Sequence, residues 1–270
     1  MYFSFMHKIF SDKEDGIIFE CFGIWHLIYV LLIAAVLTWS IIYLKDKSSE
    51  FRRRYTNVFI TIVFCLYIAD FFLMPFAIEE IDIDKLPFHA CTSMCVMGFW
   101  SNHNRVLGKF RTNFALLGAA ANLMYIVYPS GVANYETHPL SYRASQTLIF
   151  HACMLIYGVL VIVYGGEDLK VKNCPKNLIV IGSLTLWAHM GNLLYGGEGE
   201  EYSRTFNWFF LEEDPFGFFS EEIAPYITPF MNIAAFFALD LIIYFIYEKV
   251  RAKMKKKAEE KAEEPETVSA

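Results

Sequence analysis

The sequence predicts an all-α polytopic membrane protein, a bundle of seven transmembrane helices with the N-terminus outside and the C-terminus cytoplasmic. Three observations predict it. Of the 270 residues 56% are hydrophobic and only 19% charged, with a mean hydropathy of +0.35, well away from the roughly 45–50% apolar and 25% charged composition of soluble domains. Seven stretches reach or approach the roughly 20 apolar residues needed to cross a bilayer as a helix, the conformation that satisfies every backbone N–H and C=O internally. Lys and Arg also alternate between the connecting segments as the positive-inside rule requires.

Taken in order, the predicted spans are residues 24–44, 57–78, 87–103, 113–128, 147–164, 178–195 and 223–247. The third and fourth are short and carry polar residues, so they are expected to be tilted or partly re-entrant. With the N-terminus outside, the segments 45–56, 104–112, 165–177 and the tail from Glu248 lie inside. They hold all of the 23 Lys and Arg except Lys8, Lys13, Lys85, Arg143 and Arg204; six or eight spans would scramble that division. Three regions follow. Residues 1–23 are an extracytoplasmic segment with no signal-peptide core or cleavage site, 24–247 the transmembrane domain, and 248–270 a charged cytoplasmic tail whose helix frays into disorder. No internal repeat stands out.

Composition also excludes functions. A net charge of −6 and pI of 5.7 argue against a nucleic-acid partner. The six cysteines lie mostly within apolar runs, so they do not make a secreted disulfide framework. The outer loops are acidic, through Glu79, Glu80, Asp82 and Asp84 and then Glu198, Glu200, Glu201, Glu212, Glu213, Asp214, Glu221 and Glu222, which chiefly keep a surface solvated. Between the last of these runs FNWFFLEEDPFGFF is strongly aromatic, as expected of a segment lying in the membrane interface. Phe206, Asn207, Trp208 and Phe209 are its candidate portal for a lipid substrate.

Polar side chains inside spans are costly and face the bundle interior, so their depth is informative. The orientation above puts His26, Asp70, His89, Cys91, Asn122, His151, His189, Asn192 and Asn232 toward the outer end; Asp240 alone lies in the inner half. This clustering predicts a polar cavity open to the outer leaflet. In span six Thr185, His189 and Asn192 fall on one helical stripe, and in span four GAAAN, Gly118 to Asn122, lets helices approach closely.

Cys91 stands apart from the other cysteines. Pro87 in LPFHAC suits a helix start, which places Cys91 in or just past a first turn, at the positive end of the helix dipole where thiolate is favoured. A thiolate attacks carbonyl carbon, and a histidine takes its proton. His151 lies at matching depth; His89, about 200° away around a continuous helix, reaches the thiol only if it precedes the regular helix. A zinc site of His89, Cys91, His151 and His189 is a rival arrangement, but structural-zinc spacing is absent, and no metal or soluble cofactor is expected. GxSxG, Walker, GxGxxG and HExxH motifs are also absent.

LPFHACTSM, GAAANLMY, QTLIFHACMLIYG, and GNLL with FNWFFLEEDP together resemble the YwaF-like integral membrane family over most of residues 57–247. That family includes a eukaryotic branch with a transmembrane acyltransferase that remodels ether phospholipids through a catalytic cysteine. Its fold is similar to that of membrane hydrolases of fatty-acid esters that use Thr and His. The resemblance implies that Cys91 matches the cysteine and His151 the histidine of the IFH element.

The expected activity is therefore an intramembrane lipid acyltransferase, transacylase or ester hydrolase working through a thioester, its partner a membrane phospholipid or lysophospholipid. Cys91 is the nucleophile and His151 the base; Asn122, Asn192 or His189 donates to the oxyanion, and Asp70 orients a histidine. The alternative is a proton-coupled small-molecule transporter using Asp70, Asp240 and the histidines. A receptor or scaffold without chemistry is a third reading, which leaves the polar clustering unexplained. The location expected is a cell membrane, bacterial rather than an organelle's.

Overall fold

The computed structural model describes residues 16–78, 83–133, 137–165, 169–195, 207–211, 218–220 and 222–263. Among them all regular structure is helical: α1 (Ile24–Leu44), α2 (Ser49–Ile78), α3 (Ala90–Trp100), α4 (Arg111–Val127), α5 (Tyr142–Gly165), α6 (Pro175–Tyr195) and α7 (Ala224–Glu263), with a few short 3-10 turns and one helical turn at Ser130–Ala133. Five stretches are long and apolar enough to cross a membrane, namely Ile24–Leu44, Ser49–Leu73, Tyr142–Gly165, Val171–Tyr195 and Ala224–Lys256. The chain is a multi-pass helical membrane protein. α7 has 40 residues, about 60 Å at the helical rise and so roughly twice the hydrocarbon thickness.

The third predicted span is corrected. Instead of filling 87–103, α3 has 11 residues, about 16 Å of helix, too short to cross alone. Its start is set by Pro87, which offers no N–H, and by extended His89 (ψ 152°), with the Ser93 hydroxyl donating to the Pro87 carbonyl at 2.6 Å. At the other end the Ser101 hydroxyl and the Asn102 amide both donate to the Gly98 carbonyl, at 2.7 and 3.1 Å, and the chain leaves the helix. α4, with 17 residues, is also shorter than the five long spans.

The core lies between α2, α3, α4 and α5, where Ile60, Val63, Met94, Leu117, Met154 and Tyr157 are buried together. Lipid is as apolar as leucine, so this packing rests on fit rather than on exclusion of water. Fit is closest where α5 crosses α4. A Cβ on Gly158 would stand 2.5 Å from the Ala115 carbonyl oxygen and 2.6 Å from the Ala119 Cβ. Gly118 likewise makes room for the Met154 methyl, 2.9 Å from where its Cβ would be. The small residues of GAAAN thus let the helix carrying His151 lie directly on α4. α1 presents Leu31, Leu32, Trp39 and Ile42 outward, as a lipid-facing helix does.

Candidate active site

Cys91 is the second residue of α3, so it sits in the first helical turn. His89 is the cap residue in extended conformation and makes no side-chain capping bond. It precedes the regular helix, so the 200° separation along a helix does not hold it away from the thiol. The backbone N–H groups of Cys91 and Thr92 lie against the Cys91 sulfur.

Across from α3, α5 carries His151. Its Nδ1 lies 2.7 Å from the Thr147 carbonyl oxygen one turn back; a carbonyl only accepts, so Nδ1 bears the proton and Nε2 presents a lone pair. The Tyr125 ring of α4 stacks on the imidazole at 3.7 Å and 11°, and Phe150 meets it edge-on at 5.2 Å. The ring is therefore clamped, and among the described residues its Nε2 has no hydrogen bond. His26 shows the contrast. Its Nδ1 accepts from the Phe22 N–H at 2.9 Å and its Nε2 donates to the Ile126 carbonyl at 2.8 Å, so both nitrogens are spent tying α1 to α4.

Lys85, on the turn Ile83–Lys85, joins this cluster and was not singled out in the sequence. Its ammonium interacts electrostatically with His89, Cys91 and His151. It is held by Asp70 of α2 at 2.9 Å. The Tyr142 hydroxyl of α5 donates to the same carboxylate at 3.1 Å, and the Tyr67 hydroxyl of α2 donates to the Lys85 carbonyl at 2.9 Å. Asp70 was expected to orient a histidine. Its partners are instead Lys85 and Tyr142, because a buried carboxylate is neutralised first by the nearest cation. The effect is a bracket that fastens the segment leading into Cys91 onto α2 and α5.

The other expected site residues lie elsewhere. Asn122 is fully buried and its amide donates to the Gly118 carbonyl of its own helix at 2.6 Å. His189 is exposed on α6, away from the bundle interior, while Thr185 and Asn192 of the same stripe are buried. Asn192 accepts from the Trp208 N–H at 3.0 Å and donates to the Trp208 carbonyl at 3.4 Å, so its amide pins a loop. Asn122 and Asn192 thus have their amide nitrogens directed at backbone carbonyls, and His189 lies on the exposed face of α6.

The candidate portal residues differ in their exposure. Phe206 lies outside the described residues and Asn207 is half-buried, but Trp208 and Phe209 are 0% and 3% exposed. Asn192 and Asn232 draw this segment inward by bonding its backbone, the latter at 2.7 Å to the Phe209 carbonyl. Phe209 adopts φ 59° to make the turn, and Trp208 packs on Phe88 at 4.8 Å. Over the described residues 207–211 the chain is a plug seated in the bundle. The acidic runs at 79–82, 198–201 and 212–214 lie outside the described residues.

A cavity of about 380 Å³ lies between α3, α4 and α6. Its α3 wall is Ser93, Met94, Val96 and Met97, and Cys91 itself does not line it. Among the described residues no three His, Cys, Asp or Glu side chains converge as a metal site requires. Asp240 belongs to a separate group, accepting from the Asn177 amide at 2.6 Å.

The TMEM164 family model matches residues 21–247, most of the chain, and the chain belongs to that family. No curated protein and no solved structure matches it.

Proposed function

We propose that this protein is an intramembrane acyltransferase or lipid-ester hydrolase in which Cys91 is the nucleophile and His151 the general base. The observation that carries the reading is the commitment of His151 Nδ1 to the Thr147 carbonyl at 2.7 Å. It fixes the tautomer and leaves Nε2 as a base on a residue that shares the neighbouring Lys85 charge with the first-turn Cys91. The resemblance of LPFHAC and IFHAC to the YwaF-like family and its cysteine acyltransferases supports the same pairing.

In this mechanism the Cys91 thiol gives its proton to Nε2 as sulfur bonds to the ester carbonyl carbon of a phospholipid. The oxyanion forms against the first-turn N–H groups of α3, with the Lys85 charge beside it. The ester C–O bond then breaks, and the departing lysolipid alkoxide takes the proton back from Nε2. A second lysolipid alcohol, or water, attacks the thioester by the same steps in reverse. The short α3 suits this chemistry, because a helix that cannot span draws the headgroup region toward its first turn.

The carrier alternative needs Asp70 and Asp240 on one path. Asp70 is bracketed by Lys85 and Tyr142, whereas Asp240 is bonded to Asn177 in another cluster. The test is intact mass of the purified protein after incubation with phospholipid. A hydroxylamine-labile adduct of fatty-acyl mass is expected on the native chain and not on Cys91→Ala; an adduct surviving in Cys91→Ala removes the nucleophile from the scheme.

A further inference from the structure

The acyl chemistry makes no use of the cavity of about 380 Å³ between α3, α4 and α6. Bonds between its walls fix both of its ends. At one end the Trp187 indole N–H of α6 donates to the Pro87 carbonyl at 2.7 Å, and the Trp187 ring stacks on Phe88 at 4.9 Å. At the other, Phe110 and Phe114, at the start of α4, line it with Ile179 and Val180, and the hydrogen bond from Asn113 to Asn177 joins the two helices. Between Ile179 and Trp187 the slot is about 12 Å long, most of the roughly 15 Å of hydrocarbon in one leaflet. Its side is open. Met97, Ile179 and Trp187 are exposed where the bundle meets lipid, whereas Met94, Val180 and Leu184 are buried at its inner wall.

The lining decides what fits. Among its described residues only Ser93 and Ser183 carry hydroxyls, and the rest are apolar or aromatic. The Ser93 hydroxyl is spent on the Pro87 carbonyl, which also takes the Trp187 N–H, so these three polar groups satisfy one another. A buried water needs about two to four polar partners, more than Ser183 alone supplies. A partner helix is too wide. The volume spread over that length leaves a slot about 6 Å across, against about 10 Å for an α-helix with its side chains. A single hydrocarbon chain suits both the section and the polarity, and it enters from the bilayer without crossing water. An empty slot would forfeit the dispersion contacts of its lining.

Charge orients the chain. Leu107 and Phe110 of the lining share their loop with exposed Arg105 and Lys109. Cations at a membrane surface attract lipid phosphate, and the bond between Trp187 and Pro87 closes the opposite end. We infer that the slot between α3 and α6 binds one acyl chain of a membrane phospholipid, which enters from the side with its headgroup toward Arg105 and Lys109. Since Cys91 does not line the slot, occupancy is separate from the acyl-transfer reading and stands or falls without it.

The test is photo-crosslinking of the full-length protein in detergent micelles, titrated with phosphatidylcholine that carries a diazirine in one chain and mapped by peptide mass spectrometry. Lipid on the bundle surface labels exposed Leu193 and Leu194 in any case. Only a chain inside the slot reaches Met94, Val180 and Leu184. Saturable labelling of these three is expected, reduced by lysophosphatidylcholine but not by glycerophosphocholine, which has the headgroup without a chain. Ser183→Phe puts a ring into the slot and should lower that labelling by about tenfold or more, since shutting out two methylenes is already worth about tenfold. Leu193 and Leu194 should be labelled as before. Label confined to exposed residues of the native chain overturns the inference, whether or not Ser183→Phe folds. Undiminished labelling of the buried three in folded Ser183→Phe overturns it too, as does displacement by glycerophosphocholine.

Discussion

Two groups of buried polar side chains sit in this bundle, about 18 Å apart along α4 between Asn113 and Tyr125, and they spend their hydrogen bonds differently. In the first, Asn113 of α4 donates to Asn177 of α6, Asn177 donates to Asp240 of α7 at 2.6 Å, and the Tyr244 hydroxyl of α7 faces both amides at 3.4 and 3.5 Å. Every link crosses from one helix to another. In the second, the only described hydrogen bond of His151 runs to its own helix, and Cys91 is met by its own first-turn N–H groups. The first group ties three helices together and repays its burial in structure. The second adds no hydrogen bond between helices among the described residues, its imidazole meeting α4 by stacking on Tyr125. An ionisable residue in a membrane helix is thus a weak sign of function by itself; the sign is an atom left uncommitted where a substrate can meet it.

That contrast breaks if changes in the second group unfold the protein, or changes in the first abolish chemistry. The largest effect is expected from Cys91→Ala. Acyl adduct and turnover disappear while the thermal unfolding midpoint, followed by tryptophan fluorescence, stays at the native value. A midpoint lowered as far as that of a core variant would assign Cys91 to packing instead. His151→Gln comes next. The amide nitrogen can still donate to Thr147 but no group then accepts the thiol proton, so single-turnover acylation should slow by about 10²–10⁴-fold. Acylation at the native rate in a correctly folded His151→Gln would move the base elsewhere, with His89 the next residue to change.

Asn177→Ala sharpens the comparison from the other side. It strands the Asp240 oxygen that the Asn177 amide satisfies and leaves the Asn113 amide only the Tyr244 hydroxyl, at 3.4 Å. A loss of about 1–3 kcal/mol in unfolding free energy in detergent is expected, with the acylation rate of the surviving folded fraction unchanged. Unfolding at the native midpoint would show that the three-helix link contributes nothing.

How far the sequence disclosed this arrangement depends on what kind of signal each part leaves. The helical bundle was legible because apolar length is set by the bilayer, and Cys91 at a helix start because Pro87 cannot donate. The length of α3 was not, since the Ser93, Ser101 and Asn102 side chains that end it bond to the backbone, and such bonds leave no periodicity. His189 was misplaced for a related reason. α6 also exposes Trp187, Met190, Leu193 and Leu194, and in lipid an apolar residue does not say which face is inward. Aromatic composition likewise could not tell a plug from a flap; the deciding residues are Asn192 and Asn232, which read as cavity polarity and act as clasps. Lys85 was passed over because it lies in a connecting segment, where a cation is ordinary. Its pairing with Asp70 depends on a meeting of α2 and the 83–85 turn that only the fold provides.

The smallest effect is expected from Asp240→Asn, and it separates the acyl-transfer and carrier readings most directly. Asn at this position keeps an oxygen for the Asn177 amide, and it removes a carboxylate whose other oxygen is buried with no partner. Losing a buried charge relieves desolvation, while the new amide nitrogen sits where that oxygen was, so the two effects oppose and the net change in stability should be within about 1 kcal/mol. Acylation at Cys91 should be unchanged, because among the described residues no hydrogen bond joins the two groups. A carrier would respond in the opposite way. Its proton-binding carboxylate would be gone, so uptake into reconstituted vesicles driven by a pH gradient would stop while the cysteine remained intact. Native acylation in Asp240→Asn, with no proton-driven uptake in either protein, would place all the chemistry at the Cys91 end of the bundle; an acylation rate that falls with the loss of this carboxylate would mean that the two groups communicate through α4, and the division between them would have to be redrawn.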